Sequence, residues 1–155
     1  MSEQPWVTEL KTTKKFFDRT TEVLTEDDAG FAPAEGMMTA AAQIAHVART
    51  VEWFLEAGFR DHWDTNFEQH MQEATAVQTL SEARAWNERA FEQAVTEAGS
   101  KSQEYMMTPM PINEFMPGAP RIAIISGIAD HTAHHRGALS VYARLRGKTP
   151  PIPYF

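Results

Sequence analysis

The sequence predicts an all-α protein, a four-helix bundle with two long connections. Three observations point there. Apolar residues recur at helical spacing, strand-like alternation is nearly absent, and four stretches of roughly 18–26 residues carry helix signals at their ends. With 155 residues the chain is one domain's worth, 1–155, long enough to bury a core and too short for two.

The first helix opens at Pro5, a residue tolerated in a first turn, and repeats Trp6, Leu10, Phe17 and Leu24. Thr25 to Gly30 breaks that pattern, and Pro33 to Gly36 prolongs the turn. Thr39 is a suitable N-cap for a second helix that runs to about Gly58 with an apolar stripe of Ile44, Val47, Val51, Phe54 and Leu55. Thr79-Leu80-Ser81-Glu82 fits a capping box, in which the threonine hydroxyl and the glutamate carboxylate each accept from the other's backbone amide. The third helix so opened buries Trp86, Ala90, Phe91, Ala94 and Val95 and stops at Gly99. A fourth follows Pro120, from about Arg121 to Arg146, with Arg144 and Arg146 at the end where the helix dipole favours cations. Gly147 and Pro150-Pro151 end it.

Connections of this length, about 59–78 and 100–120, are functional or hold short structure of their own. The second is rich in Met and aromatics (Tyr105, Met106, Met107, Met110, Phe115, Met116), which suits it to cover one end of the bundle. These residues and Trp53 read first as core filler, and second as the lining of an apolar pocket.

Composition removes several functions. Fourteen Lys and Arg against 21 Asp and Glu, for a net charge of -7, leave little to replace counterions on nucleic acid. The absence of Cys rules out a disulfide scaffold, a thiolate zinc site, an iron–sulfur cluster and a Cys nucleophile. No apolar run approaches the ~18–20 residues of a membrane span, so no membrane partner is expected. Met1-Ser2-Glu3-Gln4-Pro5 is not the start of a signal peptide, which makes a cytoplasmic protein the expectation.

Six His remain, and three of them stand together in His131-Thr132-Ala133-His134-His135. Residues four apart on a helix share a face, so both rings of such a pair can turn toward one ion. At about 100° per residue, His135 lies within roughly 10° of the apolar centre of the fourth helix, His131 about 45° away and His134 about 100° away. Two imidazoles aimed into a core need a satisfier, and a divalent cation is the simplest. His46 is the one histidine in another strong helical pattern, on the side opposite the Ile44 stripe and together with Ala42, Trp53 and Ala57. That position is compatible with the interior. His62 and His70 fall in the connection after the second helix and are expected to be exposed and without function.

His131-Thr132-Ala133-His134-His135-Arg136-Gly137 resembles the last-helix signature, H-x-x-H-H-R-G-Q, of the DinB-like (DinB/YfiT) metalloenzyme family. Ala42-Gln43-Ile44-Ala45-His46-Val47-Ala48 resembles that family's second-helix histidine motif, and Arg146-Gly147-Lys148-Thr149-Pro150-Pro151 its tail. The resemblance implies a closed bundle of variant up-and-down topology with one metal ion on His46, His131 and His135. Ala138 departs from the pattern, which has Gln there, so no role of that Gln carries over.

Three imidazoles and no Cys leave a coordination shell with an open place. Thr132 stands where a zinc protease needs its glutamate, and neither the deaminase pattern nor a G-x-S-x-G elbow occurs. The family resemblance implies a metal-dependent transferase or isomerase that uses a low-molecular-weight thiol. The alternatives are a metal-assisted hydrolase, for which no motif places an acidic base, and a non-catalytic stress or binding module that the metal stabilises. Imidazole suits Zn or Ni first and Fe or Mn next. The expected partner is a small-molecule substrate, and apolar Trp63 and Phe67 point toward a homodimer. His134 is open between a hydrogen-bonding neighbour of the site and an exposed residue. Arg136 is expected at the surface or in an interhelical ion pair, and Gly137 at a close helix approach.

Overall fold

Six helices make up the secondary structure of residues 3–155, the part of the chain described by the computed structural model: α1 (Pro5–Thr21), α2 (Ala40–Arg60), α3 (Phe67–Thr75), α4 (Leu80–Gly99), α5 (Gln103–Met107) and α6 (Ala123–Leu145). Met1 and Ser2, the first residues of the expected domain and N-terminus, lie outside the described residues. Among the described residues the strand-type pairing is a single bridge between Pro109 and Pro120, so the fold is all-helical. The two long connections contain α3 and α5. Among the described residues no helix is long and apolar enough to cross a membrane.

α2 packs on α3, α4 and α6, while α1 packs on α4 and α6. The shared core holds Leu10 and Phe17 of α1, Ile44 and Leu55 of α2, Leu80 and Phe91 of α4, and Ile124 and Leu139 of α6. Met106 and Met110 are buried in the same core, so the Met-rich connection covers one end of it. α2 is buried on nearly every side, as its two apolar faces require.

The caps show where local signals were met and where distant residues replaced them. Thr39 accepts from the amide of Ala42 at 3.1 Å, and Thr79 from the amide of Glu82 at 3.1 Å. The expected return half of the Thr79 box, Glu82 accepting from the Thr79 amide, is not made, and the next amides of the helix are met from elsewhere in the chain. Glu26 accepts from the amides of Leu80 at 2.8 Å and Ser81 at 2.7 Å. The reciprocal box forms instead at Thr25 and Asp28, around a short 3₁₀ turn of Glu26–Asp28. Gly147, at φ 74°, supplies the left-handed residue that closes α6. Beyond it Lys148 joins Arg146 on the buried carboxylate of Asp28, which ties the C-terminal tail to the first connection.

α2 and α6 meet at glycines. A Cβ on Gly58 would stand 2.5 Å from Ile124 Cδ1, and one on Gly127 would stand 2.6 Å from the Phe54 ring. Gly137 does not have the expected role: nothing lies within 4 Å of its Cβ position, because it faces away from the neighbouring helices. Leu145 is exposed at the end of α6, while Tyr142 and Ala143 of the same turn are buried.

Candidate metal centre

The close approach of α2 and α6 carries three histidines toward one point. His131 and His135, one turn apart, stand side by side on α6 with ring centroids 4.6 Å apart, and each lies 4.9 Å from the ring of His46 on α2. Nε2 of His46 and Nε2 of His131 are 3.2 Å apart. One nitrogen from each of the three rings falls within 4.8 Å of the others. The helical wheel orders the α6 residues correctly: His135 is buried, His131 half-buried and His134 exposed. His134 is thus an exposed neighbour whose ring touches that of His135 edge-on. Ala138 is half-buried.

Burial governs the protonation of these rings. Removal from water, then the nearby imidazoles, lowers the pKa of His131 to about 4 and that of His135 to about 3. His46 is lowered for the same first reason, with His70 and His134 adding to it. All three are therefore neutral at pH 7, the form in which imidazole binds a metal. His135 Nδ1 donates to Gln43 Oε1 at 2.7 Å, which leaves Nε2 of that ring with a free lone pair.

These residues fit a divalent cation. Metal–imidazole bonds of about 2.0–2.1 Å put two donors on a tetrahedral ion about 3.3 Å apart. The Nε2 atoms of His46 and His131 already have that spacing.

A cavity of about 270 Å³ opens on the His46 and His131 side, lined also by Arg49, Thr50, Trp53, Phe67, His70 and Met71. His70 is the clear departure from the sequence expectation. It is 6% exposed, because α3 folds back onto α2 and turns the ring inward. Its Nε2 lies 2.8 Å from Asp64 Oδ2 and 2.9 Å from Arg49 Nη2. His62 is exposed, as expected. Trp53 lines the cavity while its indole N–H donates to the carbonyl of Asp64 at 2.7 Å, so both readings of this residue apply. Met106 and Met110 are core filler. Phe115 stacks on Trp63 and meets Trp53 edge-on, which places part of the Met-rich connection over the outer rim of the aromatic group. Arg136 is half-buried and rests over the rings of Phe16 and Tyr154 instead of forming an ion pair.

Sequence reasoning missed Gln43, Arg49, Asp64 and His70. Gln43 was detectable, being three residues before His46 and so its neighbour along the helix surface. Arg49, three residues after His46, carried the same signal, whereas Asp64 and His70 depend on the path of the connection.

Three neutral imidazoles are thus gathered from the two longest helices, beside a small cavity. The chain is a member of the DinB family, whose model matches residues 3–155. Its fold is similar to that of a DinB-like protein, YjoA, from Bacillus subtilis, with a TM-score of 0.70, 20% identity and 97% of each chain covered. No curated protein matches the chain. Family membership and the histidine cluster are together compatible with a metal-binding protein.

Proposed function

We propose that this chain is a metal-dependent enzyme, a single closed four-helix bundle of variant up-and-down topology that binds one divalent cation on His46, His131 and His135. The observation that carries the reading is the meeting of three neutral imidazoles, two of them at the wall of a cavity. When bound there, the cation supplies Lewis acidity, which lowers the pKa of a thiol or water in an open coordination position. The protein's own part is positional. Gln43 fixes the tautomer and orientation of His135, and the Gly58 and Gly127 contacts hold α2 against α6 so that the three rings stay converged.

The reaction class we favour is transfer or isomerisation with a low-molecular-weight thiol as co-substrate and an electrophilic small molecule as substrate. The metal is Zn or Ni, ahead of Fe or Mn, and the protein works in the cytoplasm, as a homodimer and without nucleic acid. One observation supports a second reading, metal-assisted hydrolysis. His70, paired with Asp64, lines the same cavity and offers the base that no sequence motif supplied.

Elemental analysis of untagged protein tests the first step, with about one divalent ion per chain expected. Screening that holoprotein with cellular thiols and electrophiles, against simple esters and amides, separates the two reaction classes. Turnover that survives complete metal removal would exclude both.

A further inference from the structure

We propose that the cavity beside the three imidazoles takes a neutral, apolar, ring-sized group and turns anionic groups away. This deepens the metal-enzyme reading by naming what its substrate carries at the end remote from the reacting atom. What binds is argued from the cavity alone; only what then reacts rests on that reading.

Size comes first. An apolar cavity of about 150 Å³ accommodates a benzene ring. At about 270 Å³ this one has room for a ring with a short substituent. Its walls away from His46 and His131 are the faces or edges of Trp53 and Phe67, with Met71 beside them. Trp53 and Phe67 are themselves 5.9 Å apart, and the Trp53 indole is held by its bond to the Asp64 carbonyl. The Trp53 side of the aromatic wall is therefore fixed before a ligand arrives. Aromatic and thioether groups of this kind favour a flat apolar guest.

Charge decides the rest. The one cation on the wall is Arg49, and its guanidinium is already engaged. Nε donates to Glu73 at 3.1 Å and Nη2 meets His70 Nε2 at 2.9 Å. Asp64 stands 3.9 Å from the same Nη2, and Glu56 and Glu52 stand 3.9 and 4.0 Å from Nη1. Four carboxylates stand around this one guanidinium and more than offset its charge. A carboxylate or phosphate entering there finds no free donor charge and an opposing field.

The test uses the full chain, metal-free, with 4-methylphenol and 4-hydroxybenzoate as probes of the same ring and opposite charge state. The indole N–H signals of Trp53 and Trp63 are followed by NMR during titration, and metal uptake is measured separately with Zn²⁺. Saturable movement of the Trp53 signal by 4-methylphenol, at a Kd at least tenfold below that of 4-hydroxybenzoate, is expected. Phe67→Ala, at a residue that is 50% exposed and so not needed for folding, should weaken 4-methylphenol at least fivefold with Zn²⁺ uptake unchanged. Equal affinity for the two probes, tighter binding of the benzoate, or no saturable movement would overturn the inference. Ring binding without Zn²⁺ uptake would support the inference and sink the metal-site reading instead.

Discussion

His135 Nδ1 lies 2.7 Å from the side-chain oxygen of Gln43 and donates to it, across the contact between α6 and α2. Because an amide oxygen only accepts, this bond specifies the tautomer in which Nε2 is free, and it aims that nitrogen at His46 and His131. Both residues are buried, so no water can substitute for either partner. Gln43→Ala should accordingly leave the three histidines in place and weaken metal binding by 10–100-fold, roughly the effect of removing a partner behind a ligand. Competition with a chromophoric chelator measures it; unchanged affinity would mean that Gln43 serves only packing.

Metal binding should also stabilise the fold, since the site is assembled from α2 and α6 and is absent from the unfolded chain. At a free metal concentration of a hundred times Kd, linkage gives about 2.7 kcal/mol. For a domain of this size that corresponds to a rise in Tm of roughly 5–10 °C. His135→Ala should show no metal-dependent rise and no stoichiometric metal. If the wild type gains this Tm shift and every thiol and ester screen stays silent, the metal is a staple between helices and the chain is not an enzyme.

Much of this was legible before any coordinates. The helical repeats, Thr39, Gly147 and the wheel position of His135 all act locally, within one or two turns, and each lies where the sequence puts it. Local signals stop short where a distant group contributes. The first amides of α4, at Leu80 and Ser81, are met by Glu26, more than fifty residues earlier, a contact no local pattern announces. Spacing treats His62 and His70 alike, yet only His70 is turned inward, by a short helix that Asn66 caps and that lies along α2. Gly137 and Gly127 are equally plausible packing glycines on a sequence, and only the rotation of α6 against α2 tells them apart.

Acid should destabilise the metal-free protein earlier than its carboxylates alone would dictate. The unfolded chain protonates its histidines near pH 6.5, whereas His131 and His135 stay neutral in the fold down to about 4 and about 3. Between those limits the unfolded state binds more protons, so stability falls as pH drops, by about 1.4 kcal/mol per unit for each such ring. Asp28 acts lower down. Burial opposes its ionisation, but Lys148, the Thr25 amide and Arg146 outweigh that and hold its carboxyl well below the usual carboxylate range. Its stabilisation is intact above the ordinary Asp value and is lost only below it. Urea unfolding at pH 7.5, 6 and 5 should therefore show a decline that His135→Leu flattens and Asp28→Asn does not.

The glycines give the sharpest check on the packing that positions the site. Replacing glycine by alanine in a helix interior gains up to about 1 kcal/mol from backbone propensity alone. At Gly137 nothing opposes that gain, and Gly137→Ala should stabilise by roughly 0.5–1 kcal/mol. At Gly127 the new methyl would lie 2.6 Å from two atoms of the Phe54 ring and 3.1 Å from Met116 Cε. A buried ring has no room to retreat, so overpacking should outweigh propensity and leave Gly127→Ala destabilised by about 1–3 kcal/mol. α6 would be pushed from α2 by the same contact, one turn from His131, and metal affinity should fall with stability in this variant and in no other of the pair. Chemical denaturation with and without Zn²⁺ reads both effects; equal metal affinity in the two variants would show that the histidine cluster does not depend on how closely these helices approach.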